Sequence, residues 1–391
     1  MLRADWFQLS CCSLCAAAEK THAAARRVII AGGGTGGHLF PGIAIAREFM
    51  ARCPENRVLF VSTANEFERA VLADAGFELK KITVKGIKGK GLVKKCQSLV
   101  LIPVGVAQSA SILIAFKPDL VVGVGSYAAG PVALAARLLG IPVVLHEQNI
   151  LPGITNRTLG RFARRIYVSF EQTAGRFDAN KVQFTGNPVR KEILNLMSEE
   201  ENAGGQTSGE PLTLLIAGGS QGAHAINTTM LTALPLLRDQ KQLTIIHQTG
   251  AADESMVREA YHSEGLNASV QAFFDNMDRQ YRQADLVICR AGATTVAELT
   301  VAGKAVILVP FPFAADNHQS LNARALESAG AAEVIDQKDL TADVLANRIN
   351  YYAANRQELE EMGRRAHAFG KPEAARVIVD DMYGLMGQPN K

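Results

Sequence analysis

Cysteine is scarce in this chain of 391 residues: Cys11, Cys12 and Cys15 crowd the N-terminus, and Cys53, Cys96 and Cys289 are scattered over the rest. The CCxxC has no second pair to complete a zinc tetrad, and the thiols form no disulfide framework, which suits a reducing cytoplasm better than secretion. Charge of one sign is lacking too. Lys and Arg exceed Asp and Glu by 41 − 38 = 3, so the total makes no case for a nucleic-acid partner. At 48% hydrophobic and 20% charged residues the chain is far from the composition of disorder. Its length, at roughly 150 residues per domain, predicts two domains or three. A clean signal peptide is missing: Arg3 is opposed by Asp5, and Gln8, Ser10 and Ser13 interrupt the apolar stretch. Residues 1–25 therefore read as a disordered extension or an early start.

What the chain does have is a repeat. Residues 26–38, RRVIIAGGGTGGH, and residues 211–224, PLTLLIAGGSQGAH, share an apolar run, then A-G-G, a polar turn and a His. Both predict strand, glycine loop and helix, and an offset of 186 residues from Ala31 to Ala217 makes this a duplication of whole domains. Buried-strand candidates VLFVS (58–62), LVVGVG (120–125), VVLHE (143–147) and RIYVSF (165–170) alternate with helical stretches in the first half. LTIIHQ, VQAFF, LVICR, AVILVP and AAEVI do so in the second. The predicted fold class is α/β, with two Rossmann-like doubly wound domains, each a parallel sheet with helices on both faces. The polar stretch 198–211 reads as a surface connection, and TGNPVR (185–190) as the hinge.

Glycine loops of this kind let the backbone approach a ligand, while the helix that follows offers unpaired N–H groups to an anion. Gly32, Gly34 and Gly37 satisfy GxGxxG formally, so a dinucleotide-binding domain competes. That reading needs a ribose-binding acid at the end of the second strand. There the sequence runs Ser62-Thr63-Ala64-Asn65, with Glu66 only beyond it. In the second loop Ser220 is either a helix cap or a phosphate donor. In CRAGATTVAE (289–298), Arg290, Ala293, Thr294, Thr295, Val296, Ala297 and Glu298 follow a strand and open a helix. A carboxylate one turn inside such a helix can accept from the vicinal hydroxyls of a ribose. PFPFAADNHQ (310–319) leaves the carboxyl end of another strand and carries sugar-binding residue types in Asp316, Asn317, His318 and Gln319.

Seven lysines, among them Lys85, Lys88, Lys90, Lys94 and Lys95, fall within the 16 residues 80–95, and no acid occurs between Glu78 and Asp119. Such a cluster attracts an anionic membrane at about 1 kcal/mol per basic residue. A solvated loop or a nucleic-acid patch is the plainer alternative, the latter disfavoured by the lack of interleaved aromatics. The 21 uncharged residues 96–116 have the length of a span, but Pro103, Gly105, two glutamines and three serines dilute them. A partly buried helix with an apolar edge at the membrane interface is expected.

GGGTGGHLFPG, HEQN (146–149), TGNPVR, GGSQG, CRAGATTVAE and the PF…Q segment, in that order, resemble the motif series of the MurG family from residue 26 to about 385. The family transfers N-acetylglucosamine from UDP-GlcNAc to the 4-hydroxyl of MurNAc in undecaprenyl-linked lipid I, giving lipid II. The resemblance implies a GT-B fold, with an acceptor domain at 26–189, a UDP-GlcNAc domain at 190–370 and a final helix in 371–391 crossing back. It implies a peripheral protein on the cytoplasmic face of the bacterial inner membrane, with division or elongation complex proteins as open partners. It also implies that Glu298 holds the uridine ribose, Phe274 lies against uracil, and Arg190 and Ser220 approach the diphosphate, with Arg290 also in the donor site. Gln319 and His318 would read the sugar, although His318 stands where the family has a second Gln. Thr35, Gly36, Gly37 and Asn149 would close the donor pocket, and Tyr127 and Asn156 would line the acceptor side. The chemistry resembles a single inverting displacement needing one base. His38 is the candidate, since imidazole with an ordinary pKa of about 6.5 accepts a proton near neutrality. Glu147 is the alternative base or the acid that orients it. No DxD motif for a donor metal is present, and no cofactor is expected, because helix N-termini and Arg side chains suffice for the leaving group. A transferase with another lipid acceptor, a UDP-sugar epimerase, an NAD-dependent oxidoreductase and a non-catalytic scaffold stay open.

Overall fold

A computed structural model describes residues 25–85, 92–200, 211–219, 222–237 and 243–387. Residues 1–24, Lys88, Lys90 and Ser220, and the side chains of Lys94 and Lys95, lie outside the described residues.

Two parallel sheets carry the chain. The first contains β1 (Arg27–Ala31), β2 (Arg57–Ser62), β3 (Glu78–Lys81), β4 (Leu120–Gly123), β5 (Val143–Glu147), β6 (Arg165–Val168) and β7 (Val182–Phe184), in the order 3-2-1-4-5-6-7. The second contains β8 (Leu212–Ala217), β9 (Leu243–Gln248), β10 (Ala268–Gln271), β11 (Leu286–Cys289), β12 (Ala305–Leu308) and β13 (Glu333–Val334), in the order 10-9-8-11-12-13. The two orders are the same over six strands, as a duplicated unit requires. Central strands such as β4, β5, β11 and β12 are buried along their whole length, which is why they read as continuous apolar runs without alternation. In each sheet the order reverses beside the first strand, between β1 and β4 and between β8 and β11. A ligand crevice opens at the carboxyl ends there.

Two predicted strands are shorter than their apolar runs. VQAFF pairs only to Gln271 because the N–H of Phe274 turns away to the buried side chain of Gln248, 3.1 Å distant. AAEVI keeps two paired residues on the outer edge of its sheet. At the opposite edge of the first sheet, β3 bears Lys80 and Lys81, a composition that discourages pairing with another chain.

The chain crosses between domains twice. After β7 it enters the Lys191–Glu200 helix, whose Ile193 and Leu196 pack in the core of the second sheet. It returns through the Ala374–Met386 helix, whose Ile378, Val379, Met382 and Leu385 join the core beneath β1 and the Gly36–Arg52 helix. Asp381 ties this helix down: it accepts from Arg165 Nε at 2.9 Å and from the Tyr167 hydroxyl at 2.9 Å. The crossings touch at Gly186, where φ is +84° and a side chain would meet Lys371 Cβ at 2.3 Å.

The segment 96–116 belongs to a helix, Leu92–Phe116, laid over the Ser126–Leu138 helix. Gly105, Ser109 and Leu113 face inward at four-residue spacing, while Ile114 is 60% exposed and Val104 is exposed beside it. Among the described residues no helix is long and apolar enough to cross a membrane.

Candidate active site

Between β1 and the Gly36–Arg52 helix, Gly32 takes φ +127° and lies so close to the next loop that a Cβ would stand 2.3 Å from the Gly125 carbonyl. Fully buried Glu68 braces the same loop. One carboxylate oxygen accepts from Gly34 N at 2.6 Å and the other from Asn65 N at 2.8 Å. Glu68, in the helix after β2, is thus spent on the loop itself, which removes it from any role on a dinucleotide ribose. The helix beyond begins without a side-chain cap on Thr35 and without an acid in its first turn. Across the cleft, the Ala293–Val301 helix begins the same way at Gly292. Two positive helix ends therefore converge with N–H groups unsatisfied by side chains, a setting that favours an anion.

The ends are in contact. Pro41 has no N–H, so the carbonyl of Gly37, four residues earlier, lacks its helical donor, and Thr294 Oγ1 from the second domain supplies one at 2.9 Å. A second stitch is Asn322, fully buried. It donates to Asn149 Oδ1 at 3.2 Å and to Ala291 O at 3.3 Å, and accepts from Ile150 N at 3.2 Å. Thr35, Gly36, Gly37 and Asn149 on one side, and Ala293, Thr294, Thr295, Val296 and Ala297 on the other, are brought together at this cleft. Val296 is turned into the core.

His38 sits in the first turn of its helix with Nδ1 3.0 Å from Gln148 Oε1. Buried Gln148 also donates through Nε2 to Val124 O at 2.9 Å and to His146 Nδ1 at 3.1 Å. His146 Nε2 in turn faces Gly186 O at 3.4 Å. His38 Nδ1 is thus met by Gln148 and not by Glu147, the acid expected to orient it. The Glu147 carboxylate is buried and accepts from Asn149 N (3.0 Å), Gly153 N (3.1 Å) and Asn156 Nδ2 (2.9 Å). It organises the loop after β5. Asn156 is buried against it and against His146 O, so it supports this loop where an acceptor-lining position was expected. Tyr127, 46% exposed at the start of the Ser126–Leu138 helix, remains open to a ligand.

In the second domain, Glu298 is 4% exposed and paired with Arg190, Nε to Oε1 at 2.8 Å and Nη2 to Oε2 at 3.1 Å. Burial works against the Arg190 charge, but Glu298 outweighs it and holds the guanidinium pKa above its usual value. The same guanidinium lies over the Phe40 ring, 4.8 Å from its centroid, so the pair reaches across to the first domain. The two residues expected on ribose and diphosphate thus occupy one another. Phe274 is a correction. Its ring is 3% exposed within the core, pulled in by the Gln248 bond to its own N–H, while neighbouring Phe273 is 44% exposed. Arg290, expected in the donor site, donates to Val309 O at 3.1 Å and Gln337 Oε1 at 2.8 Å and holds the end of β12. Gln319 accepts from Phe311 N at 2.9 Å, shaping the PF…Q loop, and His318 starts the helix after two left-handed residues, Asp316 and Asn317.

Beneath the second glycine loop, His247 is buried between the Tyr261 hydroxyl (2.8 Å) and Asn227 Oδ1 (3.0 Å). Burial pushes its pKa down to about 3, and burial pushes that of His146 to about 4. In the unfolded chain both protonate near 6.5, so below that pH the unfolded state binds more protons. Stability present above pH 6.5 is lost as pH falls toward 4, by up to about 1.4 kcal/mol per pH unit for each histidine. Thermal melts from pH 7 to 4.5 are expected to show this, with a shallower fall in His247→Gln. Equal slopes would refute the assignment. Among the described residues no group of three or more His, Cys, Asp or Glu is placed to hold a metal ion.

Against known proteins, the glycosyltransferase family 28 N-terminal domain matches residues 28–168 and the C-terminal domain of that family matches 213–378. The UDP-N-acetylglucosamine–N-acetylmuramyl-(pentapeptide) pyrophosphoryl-undecaprenol N-acetylglucosamine transferase of Anaeromyxobacter sp. (strain K) is 48% identical, over 89% of this chain and 90% of its own. The protein of the same name in Syntrophus aciditrophicus (strain SB) is 47% identical over 90% and 97%. The crystal structure of Acinetobacter baumannii MurG superposes with a TM-score of 0.73 at 34% identity, covering 92% of this chain and 99% of that one. A Neisseria meningitidis UDP-GlcNAc 2-epimerase bound to UDP-GlcNAc shares the fold at TM-score 0.64 with 15% identity, over 92% and 99%. With two paired α/β domains in the GT-B arrangement and close to half its residues shared along nine tenths of its length, the chain belongs to the MurG family of glycosyltransferases.

Proposed function

We propose that this chain transfers N-acetylglucosamine from UDP-GlcNAc to the 4-hydroxyl of MurNAc in lipid I, inverting the anomeric carbon and giving lipid II. The observation that carries this reading is the meeting, at one cleft, of His38 with two uncapped helix N-termini. The acceptor O–H gives its proton to His38 Nε2, its oxygen bonds to the anomeric carbon, and the bond from that carbon to the diphosphate oxygen breaks. The charge that develops on UDP falls on the N–H groups at Gly36, Gly37, Ala293 and Thr294, on Ser220 and on Arg190. The ribose takes Glu298, which releases Arg190 toward the diphosphate. Gln319 and His318 serve the sugar and Tyr127 the acceptor. Nothing in this scheme needs a divalent ion or a resident cofactor.

The acceptor is a lipid, and this reading puts the protein on the cytoplasmic face of the bacterial inner membrane without a span. Exposed Lys85, with Lys88, Lys90, Lys94 and Lys95 in the sequence beyond it, would meet anionic headgroups, and Val104 and Ile114 the apolar edge. One assay tests these points together: UDP-GlcNAc and a lipid I analogue in EDTA, with the acceptor carried in vesicles with or without phosphatidylglycerol, read by mass spectrometry. The expected result is a β-1,4-linked disaccharide and UDP in equal amounts, faster on the anionic vesicles. An epimerised nucleotide sugar formed without acceptor would move the reading to the epimerases that share the fold.

A further inference from the structure

A general base must present a lone pair, and a neutral imidazole side chain in water favours the tautomer with the proton on Nε2. On the reading of His38 as base, that is the wrong nitrogen to protonate. We infer that Gln148 is the positioning residue that keeps the His38 proton on Nδ1 and so leaves Nε2 as the acceptor.

The polarity of the chain of bonds follows from its fixed end. Val124 O can only accept, so the amide group of Gln148 that faces it at 2.9 Å is the NH2. The carbonyl oxygen of that amide is then the atom 3.0 Å from His38 Nδ1, and Nδ1 must be the donor. The second hydrogen of the same NH2 points to His146 Nδ1, 3.1 Å away, which must accept. His146 therefore carries its proton on Nε2, toward Gly186 O. Burial holds His146 neutral, so its Nδ1 keeps the lone pair this arrangement needs. The amide orientation is not a free choice, because a flipped Gln148 would set oxygen against the Val124 carbonyl. Among the described residues His38 Nε2 meets no partner. Gly125 completes the seat: a Cβ there would stand 2.9 Å from His38 Nδ1, so a bare backbone is what lets the ring reach Gln148.

The neighbouring carboxylate does not do this work. Glu147 belongs to β5 and turns its oxygens to the Asn149–Gly153 loop and Asn156. A neutral amide thus stands where a hydrolase triad would place an acid, and in such a triad a wrong tautomer costs about 10⁴-fold in kcat.

The test pairs Gln148→Leu with Gln148→Glu. The first removes the acceptor for Nδ1–H. The second keeps an oxygen at the same reach. In Gln148→Leu, kcat should fall about 10- to 100-fold, part of the full worth of a positioned base. The KM for UDP-GlcNAc should stay near that of the parent, because Gln148 reaches the Gly36–Arg52 helix only through the His38 ring and meets none of the N–H groups assigned to the diphosphate. Gln148→Glu, which needs a proton on the oxygen that faces Val124 O and loses the donor to His146, should recover part of the lost kcat. Independently of turnover, the ¹⁵N shifts of the His38 ring in the free protein should report Nδ1–H in the parent and in Gln148→Glu, and a shift toward Nε2–H in Gln148→Leu. A Leu variant that keeps the parent tautomer, that keeps kcat, or that loses donor affinity in step with kcat would overturn the inference. Failure of the underlying base assignment looks different: His38→Ala would then turn over like the parent while the ring shifts still followed position 148.

Discussion

Replacing His38 by Ala is expected to lower kcat for the transfer by about 10²- to 10⁴-fold, the usual worth of a positioned general base. The KM for UDP-GlcNAc should move little, because the group lost acts on the acceptor proton and not on the nucleotide. Stability should hardly change: the ring is half-buried and makes one side-chain hydrogen bond, to Gln148. That combination is what separates His38 from Glu147. Glu147→Ala would strand Asn156 and the N–H groups of Asn149 and Gly153 without their acceptor, so it is expected to lower the melting temperature and raise KM together. Steady-state kinetics and melts on the two variants check both statements. Turnover of His38→Ala within a few-fold of the parent would remove His38 from the proton transfer.

The architecture was legible because a buried parallel strand declares itself as an unbroken apolar run, and because the glycine loop appears twice. Strand LTIIHQ is observed over all its residues for that reason. What escaped were the hydrogen bonds that hold the site, since a Gln or Asn that pairs across distant positions leaves no local pattern. Gln148 lies 110 residues from His38 and Asn322 lies 173 from Asn149. Glu68 left a partial signal. It sits three residues after Asn65 and completes a capping box, but its bond to Gly34 could not be read from that spacing. Phe274 shows the opposite failure. Two adjacent phenylalanines at a strand end gave no clue to which ring would turn inward, and Gln248 decides it from a different strand. Pro41 was in plain view as part of GGGTGGHLFPG, yet its consequence, a freed carbonyl at Gly37, acquires meaning only once Thr294 is found opposite.

Glu298→Ala is expected to weaken UDP binding by about 10²-fold, the loss of hydrogen bonds from two vicinal hydroxyls to a buried carboxylate at about 1.5–3 kcal/mol each, offset in part by the pair with Arg190 that binding must open. That offset matters. In the free protein both Glu298 oxygens are taken by Arg190, so the ribose gains only the difference between its own bonds and those it displaces. A truncation at 298 also leaves the guanidinium over Phe40 without its carboxylate, and removing one member of a buried pair costs about 3–5 kcal/mol where the other cannot reach water. Affinity alone would therefore mix two effects. Titrating parent and variant with UDP and with 2′-deoxy-UDP separates them: the parent should prefer UDP by about tenfold or more, one hydroxyl's share, and the variant should bind both alike. If the parent fails to distinguish the two nucleotides, the ribose lies elsewhere and the bond between Glu298 and Arg190 serves only to hold the domains. If the variant distinguishes them as well as the parent does, another group reads the ribose. Arg190→Ala sharpens the argument, because it frees Glu298 for the ribose but strands a buried carboxylate. Its melting temperature should drop, and its preference for UDP over 2′-deoxy-UDP should widen, because the ribose no longer has an Arg190 bond to displace while the lost diphosphate contact weakens both nucleotides alike.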